Sequence, residues 1–322
     1  MSDVVLITGV SRYLGGRLAA RLAADPSIER VIGIDTTAPR GAHIVAIGRT
    51  EFVRADIRNP LIAKVLAQAR VSTVVHAGLL NSPRGAGGRV PMQELNVIGT
   101  MQLLGACQRS DTVARVVVAS TAAVYGSGSR QPAVFTETMH PGESVRSGYA
   151  RDAIEVEGYV RGFGRRRPGV TTTVLRFGNT IGPTIDTALT RYLAGPIVPT
   201  VLGYDPRLQL LHEADAVETI RRATVQDRPG VFNVAGDGVL TLSQVLRRLG
   251  RIRLPVAPRA LMLTRSALRT RGLSELLSEQ PRLLWHGRVL DTQRLRTEFG
   301  YTPEYSTADA LDSYGAADRL SA

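Results

Sequence analysis

Apolar positions along this chain alternate between short unbroken runs and longer stretches with a helical period. The runs Val4–Thr8, Val31–Asp35, Glu51–Arg54, Thr73–His76, Val113–Ser120 and Thr171–Arg176 predict strands. Most are apolar throughout, as parallel strands covered on both faces should be. Between them, Leu14–Ala24, Leu61–Ala69, Met92–Arg109 and Tyr149–Gly162 have helical spacing. Asn59-Pro60 offers a cap residue followed by a proline that fits the first helical turn. This βαβα succession predicts an α/β fold, a doubly wound parallel sheet with right-handed crossovers.

The pattern changes after about residue 178. Gly182-Pro183, Gly195-Pro196 and Pro199 break the chain into short pieces. Ala214–Thr224 and Leu242–Leu249 still look helical, Val231–Ala235 looks like one more strand, and residues 251–290 are rich in Arg, Leu and Pro with weak periodicity. The expected organisation is a sheet domain over 1–178, joined by 210–235, and a smaller, irregular substrate lobe over 179–322. That lobe is expected to cover the open edge of the ligand cleft.

Ligands on such sheets bind beyond the C-terminal ends of the strands, and the chemistry-bearing residues follow strands here. After the first strand comes Thr8-Gly9-Val10-Ser11-Arg12-Tyr13-Leu14-Gly15-Gly16, opening into a helix. A strand, a Gly-rich turn and a helix in that order let backbone amides approach a pyrophosphate. The next strand ends in Asp35, about 20 residues past the glycines, where an acid binds a ribose hydroxyl. Gly9, Ser11, Arg12, Tyr13, Leu14, Gly15 and Asp35 are therefore candidate dinucleotide ligands. The turn is unusual: its middle glycine would fall at 12 or 13, and Arg12 and Tyr13 stand there. Residues 83–89, after the fourth strand, read as a mobile loop near the cleft mouth. The run Val116–Tyr125 delivers Ser120 and Thr121 to a strand tip, and Tyr149 opens a later helix. A Thr beside a Tyr orients a carbonyl or carbinol oxygen while the phenol moves its proton.

Composition narrows the field. The chain has 322 residues, 43% hydrophobic and 21% charged, as in ordinary globular proteins. The net charge of +12 comes from arginines spread along the chain, Lys64 being the single lysine, and aromatics are only 5%. That spread and scarcity argue against a nucleic-acid partner. Arg165-Arg166-Arg167 reads as a helix C-terminus favoured by the helix dipole. No apolar run reaches the roughly 18 residues of a membrane span, and the first residues form a strand rather than a basic-then-apolar leader. The single Cys107 excludes an internal disulfide and a cysteine metal site, no other metal site is evident, and a reducing cytoplasm is the expected location.

Taken in order, these segments resemble the extended short-chain dehydrogenase/reductases of the NAD-dependent epimerase/dehydratase type, nearest to UDP-glucose 4-epimerase-like members. The matching residues run from Thr8-Gly9 to Gly15, then Asp35, Ala55–Arg58, Val74–Ala77, Asn96–Thr100, Ser120–Gly126, Tyr149, Arg176–Asn179, Gly182-Pro183, His212–Asp215, Phe232–Val234, and Asp291 to Pro303. The resemblance implies a Rossmann-type NAD-binding domain. It implies that Asp56 and Ile57 flank the adenine, that Ala77, Asn96 and Tyr149 lie along the cofactor, that Thr121 and Tyr149 are also catalytic, and that Asn179 and Thr121 face a small-molecule substrate. It also implies a homodimer through helices 92–109 and 149–162.

Two departures accompany the likeness. The family's Tyr-x-x-x-Lys motif reads Tyr149-Ala150-Arg151-Asp152-Ala153, so Ala153 replaces the lysine that binds the nicotinamide ribose and lowers the tyrosine pKa. The middle glycine of the turn is the other. Arg12 resembles an NADP phosphate contact of single-domain relatives, whereas Asp35 repels that phosphate, and NAD is the expected cofactor over NADP. The arginine expected four residues before His212 is Leu208, with Arg207 one place off register, which weakens a nucleotide-sugar reading. The leading expectation is an oxidoreductase or epimerase with a modified site. The alternatives are a dinucleotide-binding sensor or scaffold, or a non-redox isomerase or lyase. Plainer readings stand beside these: His76 and His212 as structural histidines, Asp215 as a helix cap, Asn96 as a backbone bridge, and Cys107 and Trp285 as core.

Overall fold

The computed structural model describes residues 3–39, 47–83, 87–142, 145, 148–263, 271–280 and 282–321. The chain divides into two units: Met1–Ser120 with Arg151–Arg176 and Val217–Phe232, and Thr121–Ala150 with Phe177–Ala216 and Asn233–Ala322.

The first unit is built on a seven-stranded sheet. In chain order its elements are β1 (Asp3–Thr8), α1 (Tyr13–Ala23), β2 (Ile28–Asp35), β3 (Glu51–Arg54), α2 (Leu61–Gln68), β4 (Thr73–His76), α3 (Arg89–Gln93), α4 (Gly99–Gln108), β5 (Arg115–Thr121), α5 (Gly148–Arg166) and β6 (Thr171–Phe177). The sheet runs Gly230–Val234, β6, β5, β4, β1, β2, β3. The pairs β1–β2, β2–β3, β1–β4 and β4–β5 are all parallel. The order reverses beside β1, and such a switch point opens a crevice for a ligand. Leu6, Val74, Val116 and Val118 are fully buried among Leu66, Leu103, Val156 and Phe163. This is the doubly wound architecture that the alternating pattern predicts.

Local departures have local causes. The helix expected over 92–109 starts at Arg89, widens into a π turn at Glu94–Ile98 and resumes as α4. Such single-turn bulges are often found at functional sites, and here Asn96, at 2% exposure, is buried together with Val97. Gly99 opens α4 because a Cβ there would lie 2.6 Å from Ile57 Cδ1. α5 runs past Gly162 to the basic turn Arg165-Arg166. Arg167 follows and donates to the carbonyls of Gln108 and Ser110. Asn59 caps as expected, its Oδ1 accepting from Leu61 N at 2.9 Å. Residues 84–86 of the 83–89 loop lie outside the described residues; Arg89 at its end is already helical.

The second unit is made of short strands. Asn179–Ile181 pairs in parallel with Leu210–His212, and Ile197–Val201 with Ile252–Val256. Leu240–Thr241, Arg207–Leu208 and Gly287–Arg288 form a small three-stranded sheet. Its own core gathers Ile181, Leu193, Leu208, Leu210, Leu246 and Leu284, with Trp285 packed against it. The two units are nearly equal in length, and the division differs from a boundary at 178 because residues 121–150 belong to the second. The reason is pairing with the C-terminal part: Phe135 N donates to Val289 O and Asp291 N to Phe135 O, both at 2.8 Å. Residues 264–270, within the weakly periodic stretch, lie outside the described residues. No helix among the described residues is long and apolar enough to cross a membrane.

Candidate active site

The Gly-rich turn of the first unit is a tight backbone construction. Gly9 follows β1 at φ 76°, and a Cβ there would lie 2.5 Å from Gly78 Cα. A Cβ on Gly15 would lie 2.3 Å from Gly9 O, so any side chain would fill the cradle. Arg12, by contrast, is extended at φ −98° and ψ 163°. That conformation is open to any residue, which explains why the turn tolerates the loss of a glycine at this point. Tyr13 begins α1 and lies under Arg17, whose Cζ is 5.5 Å from the ring centre. Leu14 follows in the first turn of α1, where amides lack intrahelical acceptors.

Asp35 ends β2, and its carboxylate is aimed by backbone: Ser11 N donates at 3.1 Å and Thr36 N at 2.8 Å. Ser11 Oγ donates to Thr37 O. Burial lowers the pKa of the Arg12 guanidinium and the nearby Asp35 charge opposes that. Thus Gly9, Ser11, Arg12, Gly15 and Asp35 come together as one group. A glycine floor and an oriented acid at a parallel-strand tip are the shape and chemistry a dinucleotide needs.

The other expected ligands of this unit are more committed. Asp56 is gripped by Arg58 at 2.7 Å, which holds its carboxyl below the usual range. Ile57 and Ala77 are buried. Asn96 accepts from Leu80 N at 2.8 Å and donates to Leu80 O at 2.9 Å and to Asp152 at 3.2 Å. It therefore bridges backbone groups. Arg89 adds two bonds to the fully buried Asp152, at 2.7 and 2.6 Å. His76 is also structural: it bonds Thr8 Oγ1 at 2.6 Å and Thr100 Oγ1 at 2.9 Å, and burial lowers its pKa to about 4. Cys107 is buried, its thiol pushed up to about 12.

A second group forms within the other unit. Thr121 Oγ1 lies 3.4 Å from Tyr149 Oη and also accepts from Ala123 N at 3.1 Å. Tyr149 N donates to Glu279 Oε2 at 2.9 Å, which fixes the start of α5. Burial raises the phenol pKa; the Thr121 bond and the Arg288 charge oppose that, and Glu279 adds to it. Tyr125 is buried, donates to Asn233 Oδ1 at 2.8 Å and stacks on Phe135. Asn179 is half-buried in its short strand. On α5, Ala153 is 2% exposed, and the neighbouring Arg151 pairs with Glu155 at 3.0 Å.

Other readings change in this unit. Asp215 reaches beyond its own helix. It sits in the first turn of Glu213–Val225 and accepts from Tyr301 Oη, Glu304 N and Tyr305 N, tying the C-terminal segment down. His212 is structural, stacked on Tyr305 and bonded to Ser313 at 3.1 Å. Arg288, which no motif pointed to, lines a small pocket with Arg207, His286, Ser127 and Phe135. Its residues lie far apart in sequence, so no local signal announces it.

The sequence matches the family model described as the NAD dependent epimerase/dehydratase family over residues 5–235. It is 49% identical over 311 residues to an uncharacterised protein of Mycobacterium tuberculosis, covering 97% of this chain and 83% of that one. It is 26% identical to a UDP-glucose 4-epimerase of Azospirillum brasilense, covering 96% and 90%. Among solved structures, MoeE5 in complex with UDP-glucuronic acid and NAD superposes with a TM-score of 0.76 at 22% identity, covering all of both chains. A UDP-glucuronic acid 4-epimerase of Bacillus cereus in complex with UDP-glucuronic acid and NAD gives 0.75 at 18%, covering 99% and 100%.

Proposed function

The chain belongs to the NAD dependent epimerase/dehydratase family, whose cofactor is NAD, and on that premise we propose an oxidoreductase of this kind acting at a hydroxyl or carbonyl carbon. The observation that carries the reading is the Thr121–Tyr149 hydroxyl pair at 3.4 Å. Thr121 orients the substrate oxygen, and Tyr149 takes or returns its proton. NAD, when bound, supplies the hydride-accepting chemistry. Gly9, Ser11, Leu14 and Gly15 would hold its pyrophosphate, with Arg12 and Tyr13 in the same turn, and Asp35 its ribose. Asp56, Ile57 and Ala77 would flank it, and Asn96 would act through the Leu80 backbone. Asp35 at the strand tip favours NAD over NADP by repelling a 2′-phosphate.

The substrate class we infer is an anionic one, such as a nucleotide sugar. Arg207, in the pocket it shares with Ser127, Gln131 and His286, supports it, since a cation there favours an anion. The off-register Arg207 thus takes part in a basic pocket although Leu208 is buried. Asn179 would contact the same substrate. We also infer a homodimer through the helical segments 92–109 and 149–162, supported by the exposed Ile98, Met101 and Tyr159. The single buried cysteine suits the cytoplasm.

The test is calorimetric titration with NAD and NADP, followed by assays for interconversion of UDP-sugar epimers with the parent and with Tyr149→Phe. NAD binding with turnover lost in the variant supports the reading; full turnover in Tyr149→Phe removes the phenol from the mechanism. Ala153 favours a second reading, a dinucleotide-binding sensor without turnover. NAD binding with no turnover of any UDP-sugar tried, and turnover appearing in Ala153→Lys, would favour that one. Light scattering at micromolar concentration tests the dimer, and a monomer mass would exclude it.

A further inference from the structure

Arg288 is 8% exposed and lies on the two-residue strand Gly287–Arg288. Its Nε donates to Gly126 O at 3.0 Å, its Nη1 to Gln280 Oε1 at 3.1 Å and its Nη2 to Ser127 Oγ at 3.4 Å. All three acceptors are neutral. Among the described residues it makes no ion pair with a carboxylate. A desolvated cation without a counter-ion is costly, so its position calls for an explanation.

Its anchors provide one. Gly126 closes the turn Ala122–Tyr125, which begins at Thr121. Gln280 follows Glu279, whose carboxylate receives Tyr149 N. The guanidinium is thus bonded to the two chain segments that seat the Thr121–Tyr149 pair. Thr121, Glu279 and Arg288 are the polar and charged groups that act on the phenol, and Arg288 is the only cation of the three. The phenol's own helix offers no substitute, since Ala153 is apolar and Arg151 is paired outward with Glu155.

We propose that Arg288 is a positioning residue whose fixed, unpaired charge stabilises Tyr149 as a phenolate, taking the electrostatic part that position 153 of this chain cannot play. The proposal rests on the acid/base reading of Tyr149. When the phenol gives its proton to a substrate oxygen, the negative charge left on Oη is in the field of a guanidinium already bonded in place, and the proton returns by the reverse step. Burial lowers the Arg288 pKa to about 10, which leaves it charged at neutral pH. Charges in water-poor surroundings interact strongly.

The phenolate ultraviolet absorbance of Tyr149 tests this without turnover. Subtracting the pH titration of Tyr149→Phe from that of the parent isolates its ionisation. In Arg288→Met that ionisation is expected to shift to higher pH, read against the Arg288→Met, Tyr149→Phe double variant, while Arg288→Lys stays near the parent. With substrate, kcat of Arg288→Met at neutral pH is expected to fall about tenfold, and the acidic limb of its pH profile to move upward. Arg288→Gln carries the same expectation if Arg288→Met does not fold. An unshifted phenol ionisation in a folded, charge-free variant overturns the proposal. Full turnover in Tyr149→Phe instead overturns the acid/base reading, and the titration still reports on Arg288.

Discussion

The Gly-rich cradle and the hydroxyl group are built on opposite principles. The cradle is made by backbone: Gly9 and Gly15 leave no room for a Cβ, and Asp35 is aimed by two amides. Its glycines and its acid all fall within the first 35 residues. The hydroxyl group is made by side chains, with Thr121, Tyr149, Glu279 and Arg288 drawn from two distant stretches of the chain, 121–149 and 279–288. A backbone site survives changes at positions whose dihedrals any residue adopts, as Arg12 shows. A side-chain site has no such tolerance, and losing one member calls for another to carry its charge.

The comparison is broken most severely by Tyr149→Phe. Removing an acid/base group costs about 10²–10⁴ in kcat, and steady-state assays should show that loss. Calorimetry should find NAD affinity unchanged to within about twofold. A parallel loss of NAD affinity would mean that the phenol belongs to the binding machinery as well.

Next in size is a pH effect on the scaffold under the cradle. His76 is held neutral with a pKa near 4, against 6.5 for an ordinary histidine. Between those values the unfolded chain binds more protons than the folded one. Stability from this group is therefore complete above about 6.5 and is lost as pH falls toward 4, by about 3 kcal/mol in all. Denaturant melts across that window should show the slope, and His76→Gln should flatten it. Hydrogen exchange should place the loss at β1 and β4 of the first unit.

Gly15→Ala follows, because its Cβ would meet Gly9 O at 2.3 Å. Overpacking of this kind costs about 1–3 kcal/mol, read by thermal or chemical melts, with NAD affinity falling alongside. An alanine variant with parent stability and affinity would show that the cradle is looser than its backbone implies. The smallest effect is that of Asp35→Asn. Losing one charge-assisted contact is worth about tenfold in NAD affinity. Binding isotherms should also show the preference for NAD over NADP narrowing.

Strand and helix order was legible in the sequence because hydrophobic periodicity is local. The six predicted strands agree with β1–β6 to within a few residues. The π turn at Glu94–Ile98 was not legible, since it exists so that Asn96 can reach the Leu80 backbone. Asp215 was legible only in part: an acid near a helix start reads as a cap, but its bonds to Tyr301, Glu304 and Tyr305, beyond residue 300, leave no local trace.

By itself the sequence determined the parallel sheet, the Gly9–Gly15 turn with Asp35, the Thr121 and Tyr149 hydroxyls, and the absence of a lysine at 153. Each is a property of a few adjacent residues, or of one position. Tertiary structure alone decided that residues 121–150 join the second unit, that Thr121 meets Tyr149, and that Arg288 stands desolvated behind the segments that hold them. Those outcomes depend on backbone pairing and burial between residues more than a hundred positions apart, such as Phe135 with Val289 and Gly126 with Arg288. No local pattern encodes which distant chain will supply the missing charge.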